Sequence, residues 1–139
     1  MKIALAICAV TLWAVSLPAA TPPATPEAAA ESAALAWLSL IDAEDYAQSW
    51  NGASSVFRQR ISESQWQSAV SSARAPFGAL KTRTLQSSTP KSTLPGAPDG
   101  QYVVIQFASS FEHKASAVET VTPVMDTDGK WRVSGYYIK

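Results

Sequence analysis

Asp42, four residues before Tyr46, is the residue best placed by type and spacing to act as a general base, because a carboxylate buried near aromatic rings rises in pKa and can abstract a proton. The simpler account is that Asp42 and Asp45 mark helix ends. Tyr137 is the second acid–base candidate. Arg74 and Arg83 are cations that can bind an anion, although surface ion pairs are the commoner fate of such arginines. Little other chemistry is on offer. His113, the sole histidine, lies between Glu112 and Lys114 in an expected loop and supports no serine–histidine arrangement. One histidine without a usable cysteine makes a zinc site improbable. Asp126-Thr127-Asp128-Gly129 starts like a calcium loop, but Lys130 takes the fifth position and Trp131 stands where glycine is required, so it is a turn. No glycine-rich phosphate loop is present. The expectation is no metal and no cofactor.

Those candidates need elements to hold them. Thr25 followed by Pro26 reads as an N-cap with proline at the first helical position, opening a helix to about Ala43 with Ala34, Trp37, Leu38 and Ile41 on its stripe. Asp45 opens a second, short helix with Tyr46 and Trp50 on one face, ended by Asn51-Gly52. Ser62-Glu63-Ser64-Gln65 caps a third helix bearing Trp66, Ala69, Val70 and Ala73, which Pro76 and Gly78 stop. Strands follow at Leu80 to Gln86, Tyr102 to Phe111, Val118 to Met125 and Trp131 to Ile138, rich in β-branched and aromatic residues. Ser87 to Gly100 is an expected loop, and Asp128-Gly129 an expected two-residue hairpin turn. Helices first and antiparallel sheet second make the fold class α+β.

The faces of the sheet follow from the turns. With a four-residue loop at His113 to Ser116, Glu112 opposes Ala117. One face then carries Val103, Ile105, Phe107, Phe111, Val118, Val124, Trp131 and Val133, and is the one the helices cover. On it Ser109, Thr120 and Tyr137 form a row, with Thr122 and Gly135 beside them. Hydroxyls on a core face need partners, since burying one unpaired costs about 1–3 kcal/mol. Either they satisfy one another or bind buried water, or they floor a polar-dotted pocket walled by Tyr46, Trp50 and Trp66. The ligand-binding candidates are therefore Tyr46, Trp50, Trp66, Ser109, Thr120, Thr122 and Tyr137. Tyr102, Val104, Ala108, Val121, Met125, Tyr136 and Ile138 fall on the opposite face, alternating with residues such as Gln106 and Glu119. So much apolar area there points to a partner, most simply a second copy forming a homodimer.

Composition narrows the setting. The chain has 139 residues with eleven basic and eleven acidic side chains. Lys2, the apolar stretch Ile3 to Leu17 and the small residues Pro18-Ala19-Ala20 read as a secretory signal peptide over residues 1–20, too short to span a bilayer. Ile7 is bulky where a lipobox ahead of Cys8 wants a small residue, so no stable membrane anchor is expected. Cleavage removes Cys8, the sole cysteine, and with it disulfides and thiol chemistry. Residues 21–25 form a Pro-rich tether, and residues 26–139 one domain. Near-neutral charge without basic clusters argues against nucleic acid as partner.

Several runs carry a resemblance. Asp45-Tyr46-Ala47-Gln48-Ser49-Trp50, Arg74-Ala75-Pro76-Phe77-Gly78, Leu94 to Val104 (LPGAPDGQYVV) and Asp128 to Tyr137 (DGKWRVSGYY) together resemble the bacterial secreted family catalogued as domain of unknown function 4019. The resemblance implies a small exported bacterial protein and brings no established activity. The element order is similar to the nuclear transport factor 2-like, or cystatin-like, cone: N-terminal helices packed on a curved four-stranded antiparallel sheet. The expected function is a non-catalytic small-ligand-binding or protein-interaction module, secreted across the inner membrane to the periplasm. The alternative is a small cofactor-independent enzyme of the cone fold using Asp42 or Tyr137 in acid–base chemistry.

Overall fold

A computed structural model describes residues 21–139; the expected signal peptide lies outside them. Residues 21–25 carry no helix or strand. Thr25 then caps the first helix through its Oγ, which accepts from the Ala28 amide at 3.2 Å. Pro26, with no N–H to satisfy, takes the first helical position. This helix, α1 (Pro26–Asp42), buries Ala30, Ala34, Trp37, Leu38 and Ile41 along one stripe. It packs across all four strands of the sheet. After it, α2 (Tyr46–Asn51) is capped by Asp45 and closed at Gly52. Between these helices Glu44 takes a positive φ of 59°.

The next helix, α3 (Ser55–Arg60), has no counterpart among the expected elements. Six residues do not make a stable helix alone, so its supports come from far along the chain. Ser54 donates its amide to the Val133 carbonyl at 2.9 Å and caps the helix by accepting from Phe57 N. The Asp126 carboxylate accepts from both the Ser55 amide (2.9 Å) and the Ser55 hydroxyl (2.7 Å). Those bonds, from the Ser55 hydroxyl first, outweigh burial and hold the Asp126 pKa below its usual value. A carboxyl whose pKa is lower in the folded state stabilises the fold above its unfolded pKa of about 3.9, and that contribution disappears as pH falls through the folded value. Asp126→Asn should therefore lower the melting temperature at neutral pH, and the gap from wild type should close on acidification. A gap independent of pH would show that the charge contributes nothing.

The last helix, α4 (Glu63–Arg74), has the full capping box its sequence calls for, with Ser62 and Gln65 bonding reciprocally. It packs on α2. Beyond it come β1 (Leu80–Lys91), β2 (Tyr102–Phe111), β3 (Lys114–Met125) and β4 (Trp131–Ile138), an antiparallel curved sheet in sequential order. The fold is α+β, as expected. The first strand is longer than expected. It runs through Pro90 after a register shift between Leu85 and Ser87, which an edge strand tolerates.

Two turns differ from expectation, and they change which side chains face inward. Phe111 pairs with Lys114, so a two-residue turn at Glu112-His113 takes the place of the expected four-residue loop at His113 to Ser116. This turn is fastened to the chain before β1: Glu112 N donates to Ala79 O and His113 N to Phe77 O. Gly78, at φ +73°, lies so close that a β-carbon there would sit 2.8 Å from the His113 ring. Phe107 consequently pairs with Glu119, and Ala117, Glu119, Val121 and Pro123 are buried in place of Val118, Thr120 and Thr122. The second turn spans Asp126 to Lys130, whose ends are bonded through Asp126 N and Lys130 O. A register shift between Thr122 and Pro123 restores the expected pairs Thr120–Tyr137 and Thr122–Gly135, now on the outer face. Trp131 and Val133 point to the core as expected, while Tyr136 replaces Tyr137 there.

Candidate functional site

Arg83 of β1, Ser109 of β2, Glu119 of β3 and Tyr136 of β4 lie across the helix-covered face of the sheet, one from each strand. Asp42 and Arg74, the last residues of α1 and α4, come down onto this row. Glu119 is 0 % exposed, a carboxylate that can be buried only with full compensation. It has that compensation. Its Oε1 accepts from Arg83 Nε (2.8 Å) and Ser109 Oγ (2.7 Å), and its Oε2 from Arg83 Nη2 (3.1 Å) and Tyr136 Oη (2.7 Å). The other end of the Arg83 fork holds Asp42, with Nη1 to Oδ2 at 2.7 Å and Nη2 to Oδ1 at 3.0 Å. Only a guanidinium has the geometry to bridge two carboxylates in this way.

Arg74 closes the cluster. Its Nη2 donates to Asp42 at 3.2 Å, its Nη1 lies 3.9 Å from Glu119, and its guanidinium stacks 4.7 Å over the Phe111 ring. Its position at the C-terminal end of α4 suits the helix dipole, whereas Asp42 at the end of α1 opposes it and relies on the two arginines. Two guanidinium and two carboxylate groups balance in charge. Burial alone would lower the pKa of Arg83, but the hydrogen bonds it donates to Asp42 and Glu119, with their charges, outweigh that and hold its pKa above the ordinary value. Burial, then the Glu119 charge, raises the Tyr136 phenol against the opposing pull of Arg74, so Tyr136 stays a proton donor to Glu119.

Above this cluster opens a cleft of about 380 Å3 between the end of α1, the second half of α4 and the chain before β1. Asp42, Glu44, Tyr46, Ser71 and Arg74 give it polar walls, and Ile41 and Ala75 apolar ones. Arg74 is 7 % exposed, and its Nε is buried without a hydrogen-bond partner. Burial and the Glu44 charge raise the Tyr46 phenol pKa, with Arg74 opposing.

The residues expected to bind a ligand divide into three groups. Tyr46 lines the cleft beside Asp42, and Ser109 belongs to the charged cluster below. Trp50 and Trp66 pack with the aromatic core, their indole N–H groups satisfied by the Ile61 carbonyl and the Ser49 hydroxyl. Trp66 also borders a smaller hollow of about 210 Å3 with Tyr136 and Tyr137. Thr120, Thr122 and Tyr137 face outward, with Tyr137 61 % exposed, because the two turns reverse the expected faces. Glu119 and Tyr136 were not among the candidates, and Arg74 and Arg83 are buried bridges instead of surface pairs. Among the described residues, no group of three or more His, Cys, Asp or Glu side chains is placed to hold a metal ion, and no helix is long and apolar enough to cross a membrane.

Fold and site together define an α+β protein in which a charge-balanced buried cluster ties two helix ends to every strand beneath a small polar cleft. The chain belongs to the family described as protein of unknown function DUF4019, whose model matches residues 33–136. A comparison with curated proteins found no match.

Proposed function

We propose that this is an exported bacterial binding module of cone topology, non-catalytic, whose ligand site is the cleft over Asp42 and Arg74. The observation that carries this reading is the Arg74 Nε: a buried donor without a partner costs about 1–3 kcal/mol, and an acceptor delivered through the cleft that Arg74 lines relieves it. The acid–base alternative is disfavoured by geometry. Both Asp42 oxygens are already engaged by arginines, and Tyr137 faces the other side of the sheet. Native mass spectrometry of the mature protein from its own periplasm should show excess mass that unfolding releases. Ser71→Trp, placed to fill the cleft from an exposed helix position, should abolish it. A clean mass for the wild type, with no cleft resonance moved by added small polar solutes, would sink this reading.

A second reading rests on the outer sheet face. Its centre presents Val104, Gln106, Ala108, Val118, Thr120 and Tyr137, without a charge among them, which favours pairing with a second copy. Val121 takes no part, being fully buried on the other face. Light scattering should give a dimer mass that Val104→Glu combined with Val118→Glu halves; a monomeric wild type would end the idea.

A further inference from the structure

From the charge balance of the cleft we infer the class of its ligand: a small organic amine that also carries a hydroxyl or carboxyl oxygen. This inference rests on the cleft being the binding site. The four charges of the buried cluster cancel, since Arg74 and Arg83 are matched by Asp42 and Glu119. Glu44 is left over. It lines the cleft at the bend after α1, with no ion pair or side-chain hydrogen bond of its own among the described residues. After burial, its charge is the next cause of the raised pKa of the Tyr46 phenol, two residues along the same wall. The walls are therefore one negative charge in excess, and they favour a cation.

A cation alone does not complete the site. Arg74, more than nine-tenths buried, keeps an Nε–H that lacks an acceptor, and neither an ammonium group nor a hydrocarbon supplies one. A ligand that serves both groups joins a positive nitrogen, for Glu44, to an oxygen, for Arg74. Simple carboxylates fail on the first count and simple alkylamines on the second. Polyols supply the oxygen without using the Glu44 charge.

Two-dimensional 1H–15N spectra of the mature protein test the assignment, because they resolve arginine Nε–H signals as well as the amides of Ser71 and Gly78. Ethanolamine, alanine, methylammonium, lactate and glycerol are titrated in turn, and Arg74→Lys assigns the Nε resonance. Ethanolamine and alanine should move the Arg74 Nε and the cleft amides at lower concentration than the other three. Glu44→Gln should weaken ethanolamine binding roughly fivefold, the upper end for a solvent-exposed ion pair, and leave glycerol unaffected. Lactate or glycerol binding as tightly as ethanolamine would overturn the ligand class while leaving the cleft as a site. No shift at any cleft resonance with any solute would overturn both.

Discussion

Replacing Arg83 with methionine should lower the free energy of unfolding by about 3–5 kcal/mol, the scale for removing one member of a buried ion pair. The side chain bridges Asp42 and Glu119 through four hydrogen bonds. Without it two carboxylates remain close together with Arg74 as the only cation. Arg83→Lys should recover little, because one ammonium cannot engage both carboxylates with matched geometry. The pair Arg83→Met and Glu119→Leu should cost clearly less than the two single changes summed, since the double variant leaves no orphan charge on the sheet. Urea unfolding at neutral pH checks each of these. If Arg83→Met shifted the midpoint no more than a surface substitution, the cluster would be ornamental to stability.

Trp37→Ala should cost a similar amount, about 3–5 kcal/mol for truncating a large buried aromatic. The ring lies between Trp66 (centroids 5.8 Å apart) and Tyr136 (5.6 Å, edge to face), and it links the helices to the charged cluster through the latter. Its Nε1 donates to the buried Ser49 carbonyl at 2.8 Å. Ser49 is a hub, because its hydroxyl also accepts from Trp66 Nε1 and donates to the Tyr46 carbonyl. Trp37→Phe keeps most of the ring contact but leaves that carbonyl unpaired, so it should cost about 1–3 kcal/mol. Equal losses for alanine and phenylalanine would place the whole effect in the hydrogen bond and none in packing.

What the amino acids disclosed in advance was local. Thr25-Pro26 and Ser62 to Gln65 are caps whose partners lie within three residues, and both form as their spacing requires. Strands β2 and β4 occur where expected, and the inward residues of β2 are the expected ones. Asp42, the expected general base, and Tyr46, an expected pocket wall, both line the cleft, whereas Tyr137, the other acid–base candidate, does not. The rest depended on distant partners. Along β3 the alternatives Val118, Thr120, Thr122 or Ala117, Glu119, Val121 are comparable in apolar content, so periodicity alone does not choose between them. The choice falls to the second set because Arg83, 36 residues away, and Arg74 make Glu119 affordable inside. One warning was legible. Proline in an inner strand belongs at a bulge, and Pro123 marks the register shift that turns Tyr136 inward. Helix α3 is the opposite case, a short element whose anchor at Asp126 is 71 residues off.

The two outermost strands bear on how the folded protein meets its neighbours in a crowded compartment. On one flank, β1 carries Lys81 and Lys91, Pro90 and two breaks in register. On the other, Ser54 takes up the Val133 carbonyl of β4. Charge, proline, irregular pairing and an occupied carbonyl are the features that stop a strand from a second molecule adding to an open sheet. Strand-by-strand growth into fibrils is thereby discouraged at both margins.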